Sequence, residues 1–171
     1  MSTKSFIQKV GELAEASPVI RQLLPANADG ERAITFNAFA PIAARFPQVN
    51  FTFVEEESED VLPAIRGTLY VDIWVQRKSK EPYKTMAAID NELKAIFNKR
   101  PAVFNNEIDA EKNEGLRVAQ SLRQTAEPGY EEDNELYRIT TSYKIVVSDN
   151  ENFQTNYDGV ARRGDGKDSW P

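Results

Sequence analysis

Residues 67–97 read GTLYVDIWVQRKSKEPYKTMAAIDNELKAIF, and this stretch decides the fold. Leu69, Val71, Ile73 and Val75 alternate with Tyr70, Asp72, Trp74 and Gln76, the period of two of a strand with one buried face. From Pro82 the period changes. Met86, Ile89, Leu93, Ile96 and Phe97 fall on one helical stripe, so a strand is followed at once by an amphipathic helix. Each element needs an apolar partner and each offers one. The pairing predicts that Leu69, Val71, Ile73 and Val75 pack on Met86, Ile89, Leu93 and Ile96.

On the N-terminal side, VNFTFVEEE (49–57) is a second strand, with Val49, Phe51 and Phe53 on one face and Asn50, Thr52 and Val54 on the other. It runs into the acidic block Glu55, Glu56, Glu57, Glu59 and Asp60. A link of about ten residues to the central strand suits an antiparallel pair with a charged loop. Further back, Phe6, Val10 and Leu13 mark a helix, and Ser17-Pro18 marks the cap and first turn of a short second helix through Leu24. Asp29-Gly30 is a turn. Ala33 to Phe39 reads as a short strand or an extended arm, and Pro41 and Pro47 break regular structure beyond it.

On the C-terminal side, Leu116 to Arg123 is a weakly alternating strand with Leu116, Val118 and Leu122 on one side. Glu127 to Asn134, with Pro128-Gly129 and several acids, reads as a solvated loop. Tyr137, Ile139, Thr141, Tyr143, Ile145 and Val147 form the clearest strand of the chain. The order helix-strand-strand-helix-strand-strand, with hairpin pairing at each end, predicts an α+β fold: a four-stranded antiparallel sheet with helices packed on one face. Residues 1–149 are expected to form a single domain, and 150–171 a C-terminal tail that is flexible or ordered by a partner.

Composition narrows the chemistry. The 171 residues contain no cysteine and no histidine, removing disulfides, thiolates, the commonest general base and the commonest zinc ligand. No apolar run is long enough to span a membrane. MSTKSFIQKVGELAEAS lacks the apolar centre of a secretory signal, so secretion is not expected. A formal charge of −6, with no basic cluster larger than Arg162-Arg163 or Arg77-Lys78, argues against wrapping nucleic acid.

The acidic block lacks the spaced carboxylates and turning glycine of a calcium loop, and reads as a solvated loop. Asp72 is not followed by the acid-x-lysine pair of a restriction-type nuclease. Tyr70, Asp72 and Trp74 suit either a subunit interface, where Trp and Tyr are enriched, or ordinary packing on a second sheet face. Gly164 and Gly166 lie outside any strand-to-helix turn, so no phosphate-cradling loop is read. No catalytic, cofactor-binding or metal residue is assigned.

As a whole, PQVNFTFVEEESEDVLPAIRGTLYVDIWVQRKSKEPYKTMAAIDNELKAIF followed by GLRVAQSLRQTAEPGYEEDNELYRITTSYKIVV resembles the tail-terminator (tail-completion) family of long-tailed bacteriophages. The likeness is one of arrangement, over roughly residues 17–149: a proline-led strand, an acidic link, a Tyr-Val-Asp-Ile strand, an amphipathic helix and a closing hairpin. It implies a virion protein assembled in the host cytoplasm, a homohexameric ring at the head-proximal end of the tail tube. Such a ring halts tube polymerisation and meets the tail tube protein and the head-completion or neck proteins. Genomic DNA passes through it without specific binding, and no cofactor, catalysis or membrane is implied.

Under that reading, Glu55, Glu56, Glu57, Glu59 and Asp60 are expected to face the central channel. Tyr70, Asp72, Trp74, Phe36, Phe39, Phe46, Phe153 and Tyr157 are expected at subunit contacts. Two other readings stand beside it: a head-tail adaptor or stopper ring, and a carboxylate-based, magnesium-dependent enzyme acting on nucleic acid through Asp72 and the acidic block.

Overall fold

The computed structural model describes residues 3–38, 45–56, 64–99 and 116–149. The chain enters through helix α1 (Thr3–Ala16) and the short α2 (Pro18–Leu23), followed by strands β1 (Ile34–Phe36), β2 (Gln48–Glu55) and β3 (Ala64–Gln76). Helix α3 (Pro82–Phe97) and strands β4 (Leu116–Glu131) and β5 (Leu136–Asp149) complete the described elements. Capping follows the sequence reading. Ser17 Oγ accepts from Ile20 N at the start of α2 and donates to Glu92 of α3 at 2.8 Å, tying the two helices together.

The five strands form one sheet in the order β1-β2-β3-β5-β4. β2 is antiparallel to β3, β3 to β5 and β5 to β4, while β1 is parallel to β2 with Ile34 opposite Val49 and Phe36 opposite Phe51. The α+β class stands, but the expected four-stranded antiparallel sheet is corrected: among the described residues it is a five-stranded mixed sheet, accompanied by three helices. The reason is the length of β1. Three residues are too few to display an alternation, and the segment that sequence left between strand and arm is held in place by tertiary bonds. Asn50 accepts from Thr35 Oγ1 at 3.0 Å and from Ala38 N at 3.1 Å, and its own amide donates to Ala38 O.

The second correction concerns β4, which continues through Pro128 and Gly129 to Glu131 and leaves only residues 132–135 for the turn. An edge strand tolerates proline because the missing N–H can face away from the ladder. Register shifts between Val118 and Gln120 and between Arg123 and Thr125 mean that Leu122 pairs with Lys144 and faces away from Val118. Alternation read straight along the sequence cannot anticipate two bulges.

One face of the sheet holds the core. Val49, Phe51, Phe53, Leu69, Val71, Ile73, Val75, Tyr143 and Ile145 pack under α1 and α3 with Phe6, Val10, Met86, Ile89, Leu93 and Phe97. The expected contact of β3 with α3 is present. Aromatic rings join the layers: Phe6 lies 4.7 Å from Phe53, and Phe97 meets Phe51 and Tyr143 edge-on at 6.1 and 6.0 Å. Gly67 lies where the hairpin is tightest, since a Cβ there would run into the Val54 carbonyl and the Phe53 ring. No helix among the described residues is long and apolar enough to cross a membrane.

Candidate functional site

The face of the sheet opposite the helices is one candidate surface. Strand alternation sends Asn50, Thr52 and Val54 of β2, Thr68, Tyr70, Asp72 and Trp74 of β3, and Arg138, Thr140, Ser142 and Lys144 of β5 to this side. Its polar groups are largely paired with each other. Thr140 Oγ1 donates to Asp72 Oδ1 at 2.6 Å, and the Thr125 and Ser142 hydroxyls lie 2.7 Å apart. Arg138 stands 5.3 Å above the Trp74 ring, which is only 3% exposed. Two apolar side chains remain open, Val54 at 49% and Tyr70 at 40%. Beside them a shallow concavity of about 670 Å³ is bordered by Asn37, Thr52, Asp72 and Arg138.

The residues singled out in the sequence separate in space. Tyr70 and Asp72 share the open face. Trp74 shares its direction but is covered. Phe36 lies on the other side of the sheet, at the β1 edge, where it stacks with Phe51 at 6.2 Å and remains 43% exposed. Phe46 is half-buried just before β2. Glu55 and Glu56 are exposed at the end of β2, and Glu56 reaches Lys144 at 3.9 Å and Thr68 Oγ1 at 3.4 Å. Glu57, Glu59, Asp60, Phe39, Phe153 and Tyr157 lie outside the described residues. Among the described residues, no three of His, Cys, Asp and Glu gather where they could hold a metal ion.

A second concave region lies beside Phe36. α1 overhangs the β1 edge, and between them is a groove of about 760 Å³ lined by Ile7, Gly11, Ile34 and Phe36, with Gln8, Glu12, Glu15 and Asn37 at its rim. Gly11 is needed here because a Cβ would run into the Phe36 ring. Sequence reading passed over this groove, since Gly11 in a helix carries no signal of its own partner.

Sequence reading also passed over a buried polar group beneath α3. Arg123 of β4 makes two bonds to Asp90, at 3.0 and 2.9 Å, with both side chains largely buried. Beside them the Tyr143 hydroxyl is fully buried and has no hydrogen-bond partner among the described residues. Burial pushes it up to about 12, against the pull of the Arg123 charge. At the far end of the sheet Tyr83, Tyr137 and Tyr130 form a ring cluster with centroids 4.8 and 5.2 Å apart. Hydrogen bonding to Tyr137 raises Tyr83 above its ordinary value, and hydrogen bonding to Tyr130 raises Arg77.

A mixed five-stranded sheet with the described helices over one face defines an α+β protein. Among solved structures, the fold is similar to that of a chain in "Virion of native gene transfer agent (GTA) particle", with a TM-score of 0.54 and 12% identity, covering 81% of this chain and 90% of that one. At that identity the likeness concerns the fold alone. No protein-family model and no curated protein matches the chain.

Proposed function

We propose that this chain is a structural protein of a phage-like virion. It acts as a tail terminator: a homo-oligomeric ring, hexameric by the family resemblance, that caps the head-proximal end of the tail tube and joins it to the head-completion proteins. The observation that carries this reading is the fold shared with a virion chain over most of both molecules. The arrangement of surfaces supports it. Tyr70, Val54 and Asp72 offer a mixed aromatic and polar patch of the kind found at subunit contacts, and Phe36 offers another on the opposite side. A heterologous contact between two different patches closes into a ring when its rotation allows, leaving no free end to polymerise. In that ring the loop that begins at Glu55 and Glu56 and continues through Glu57, Glu59 and Asp60 faces the channel, where its charge repels phosphate.

Two measurements test the proposal. Light scattering and negative-stain images of the purified chain should show closed rings with a central hole. A monomer at every concentration that also fails to bind tail tubes would overturn it. Particles made without this chain should carry tubes of uncontrolled length without heads. Tubes of normal length that merely fail to attach would assign the chain to the adaptor or stopper class instead.

A further inference from the structure

Among the described residues, the groove between α1 and β1 is open on the side where β1 ends the sheet. Ala33 O and Asn37 N both bond to β2, so by alternation the backbone groups of Ile34 and Phe36 point the other way. Ile34 N is taken by Arg32 O, while the N–H and C=O of Phe36 point to the edge of the sheet, beyond which no described strand lies. The apolar floor of Ile7, Gly11, Ile34 and Phe36 therefore lies beside an unpaired strand edge and under a helix that overhangs it. That is the form of a site for one more strand, in which main-chain bonds provide affinity and alternate side chains provide selectivity.

We propose that residues 152–158 of a second copy of this chain dock there as a strand beside β1. The segment reads NFQTNYD and contains no proline. Phe153, Thr155 and Tyr157 alternate with Gln154 and Asn156, so one side of the strand fits the groove floor and the other meets water. Arg162 and Arg163 follow within about 20 Å of extended chain. They face a rim that carries Glu12 and Glu15 and, among the described lining residues, no cation.

Geometry assigns the segment to another copy. Phe36 pairs with Phe51, Phe51 with Val71, and Val71 with Thr141, so all four lie at one level of the sheet. From Thr141 to Asp149 the strand climbs eight residues, about 26 Å, and β1 is three strand spacings from β5, about 14 Å. The end of β5 is thus about 30 Å from the groove. Four residues from Asp149 to Phe153 span at most about 14 Å, and even eight, to Tyr157, reach only about 28 Å. The chain's own Phe153 cannot arrive; a neighbour's can. Each copy then gives a strand and receives one.

This deepens the ring reading and rests on it, so the test keeps the two apart. The chain has no native cysteine, and the full-length double variant Gln8→Cys, Thr155→Cys carries one thiol at the groove and one in the segment. Mild oxidation should yield a ladder of linked copies on a non-reducing gel, at least about tenfold faster than Tyr70→Cys, Thr155→Cys, because docking raises the local thiol concentration. Adding Arg162→Glu and Arg163→Glu should slow the groove pair about tenfold, and further adding Glu12→Lys and Glu15→Lys should restore it. Equal rates at the groove and control positions, indifference to charge reversal, or a product confined to single chains would each overturn the docking. Absence of the link in chains that still form closed rings removes the docking alone. A ladder in open filaments upholds the docking and removes the ring.

Discussion

Arg123, Asp90 and Tyr143 show how much one buried polar group determines. Arg123 leaves β4 beside a bulge and meets Asp90 of α3 with two parallel bonds, joining the edge strand to the helix layer. Breaking a buried pair by removing one partner strands the other charge, so Arg123→Ala should cost about 3 to 5 kcal/mol in a urea titration. Arg123→Met with Asp90→Leu should recover much of that loss. Tyr143 makes a separate prediction. Its hydroxyl has an ordinary value of 10.0 and rises in the folded chain to about 12. Between those values the folded state keeps a proton that the unfolded state releases. The associated stability, about 3 kcal/mol, is present below pH 10 and disappears as pH rises through 12. An alkaline absorbance titration should show one tyrosine ionising with unfolding, and Tyr143→Phe should flatten the loss of stability. None of this was legible in the sequence. Asp90 and Arg123 stand 33 residues apart, and a bulge decides that they meet.

At the scale of elements, legibility followed length and period. β3, α3 and β5 each run for 13 residues or more, and their alternation or stripe was visible because burial on one face constrains every second or every third to fourth residue. Leu93, 1% exposed in the middle of that contact, should cost about 2 to 5 kcal/mol on Leu93→Ala. An unchanged urea midpoint would show that α3 does not depend on the sheet. β1 was legible only as a choice between strand and arm, because parallel pairing with a partner 15 residues ahead leaves no mark on three residues. β3 begins at Ala64, ahead of the alternation that marks it, and Gly67 within it serves spacing. Gly67→Ala should destabilise by about 1 to 3 kcal/mol, since backbone and ring must move apart to admit a methyl group. Of the candidate surfaces, the open face was legible through Tyr70 and Asp72. The α1 groove was not, because it depends on how far a helix overhangs a sheet.

For the whole molecule the consequences concern assembly. If residues after Asp149 join neighbouring copies, deleting them should lower the stability of the oligomer while urea unfolding of the subunit stays unchanged. A ring of undiminished stability would remove them from the interface. The channel assignment of the acidic loop is tested by charge reversal. Replacing Glu55, Glu56 and Glu57 with lysine should make assembled rings retain duplex DNA at low salt and release it at high salt, since phosphate contacts weaken as counterions compete. Within a Debye length of about 8 Å, the native carboxylates would instead keep DNA off the wall. Rings that assemble and bind no DNA after reversal would put the loop on the outer rim.

The strand order has a consequence in time. β5, last of the described strands to leave the ribosome, lies between β3 and β4. Until it emerges, β3 exposes a 13-residue edge, and β4 lacks its described partner strand. Folding therefore waits on contacts between residues 60 to 84 positions apart, the kind of pairing that slows a chain and exposes it to wrong partners. Translation stopped short of Leu136 leaves that edge of β3 without its described partner strand, the kind of unpaired edge that invites pairing with another chain.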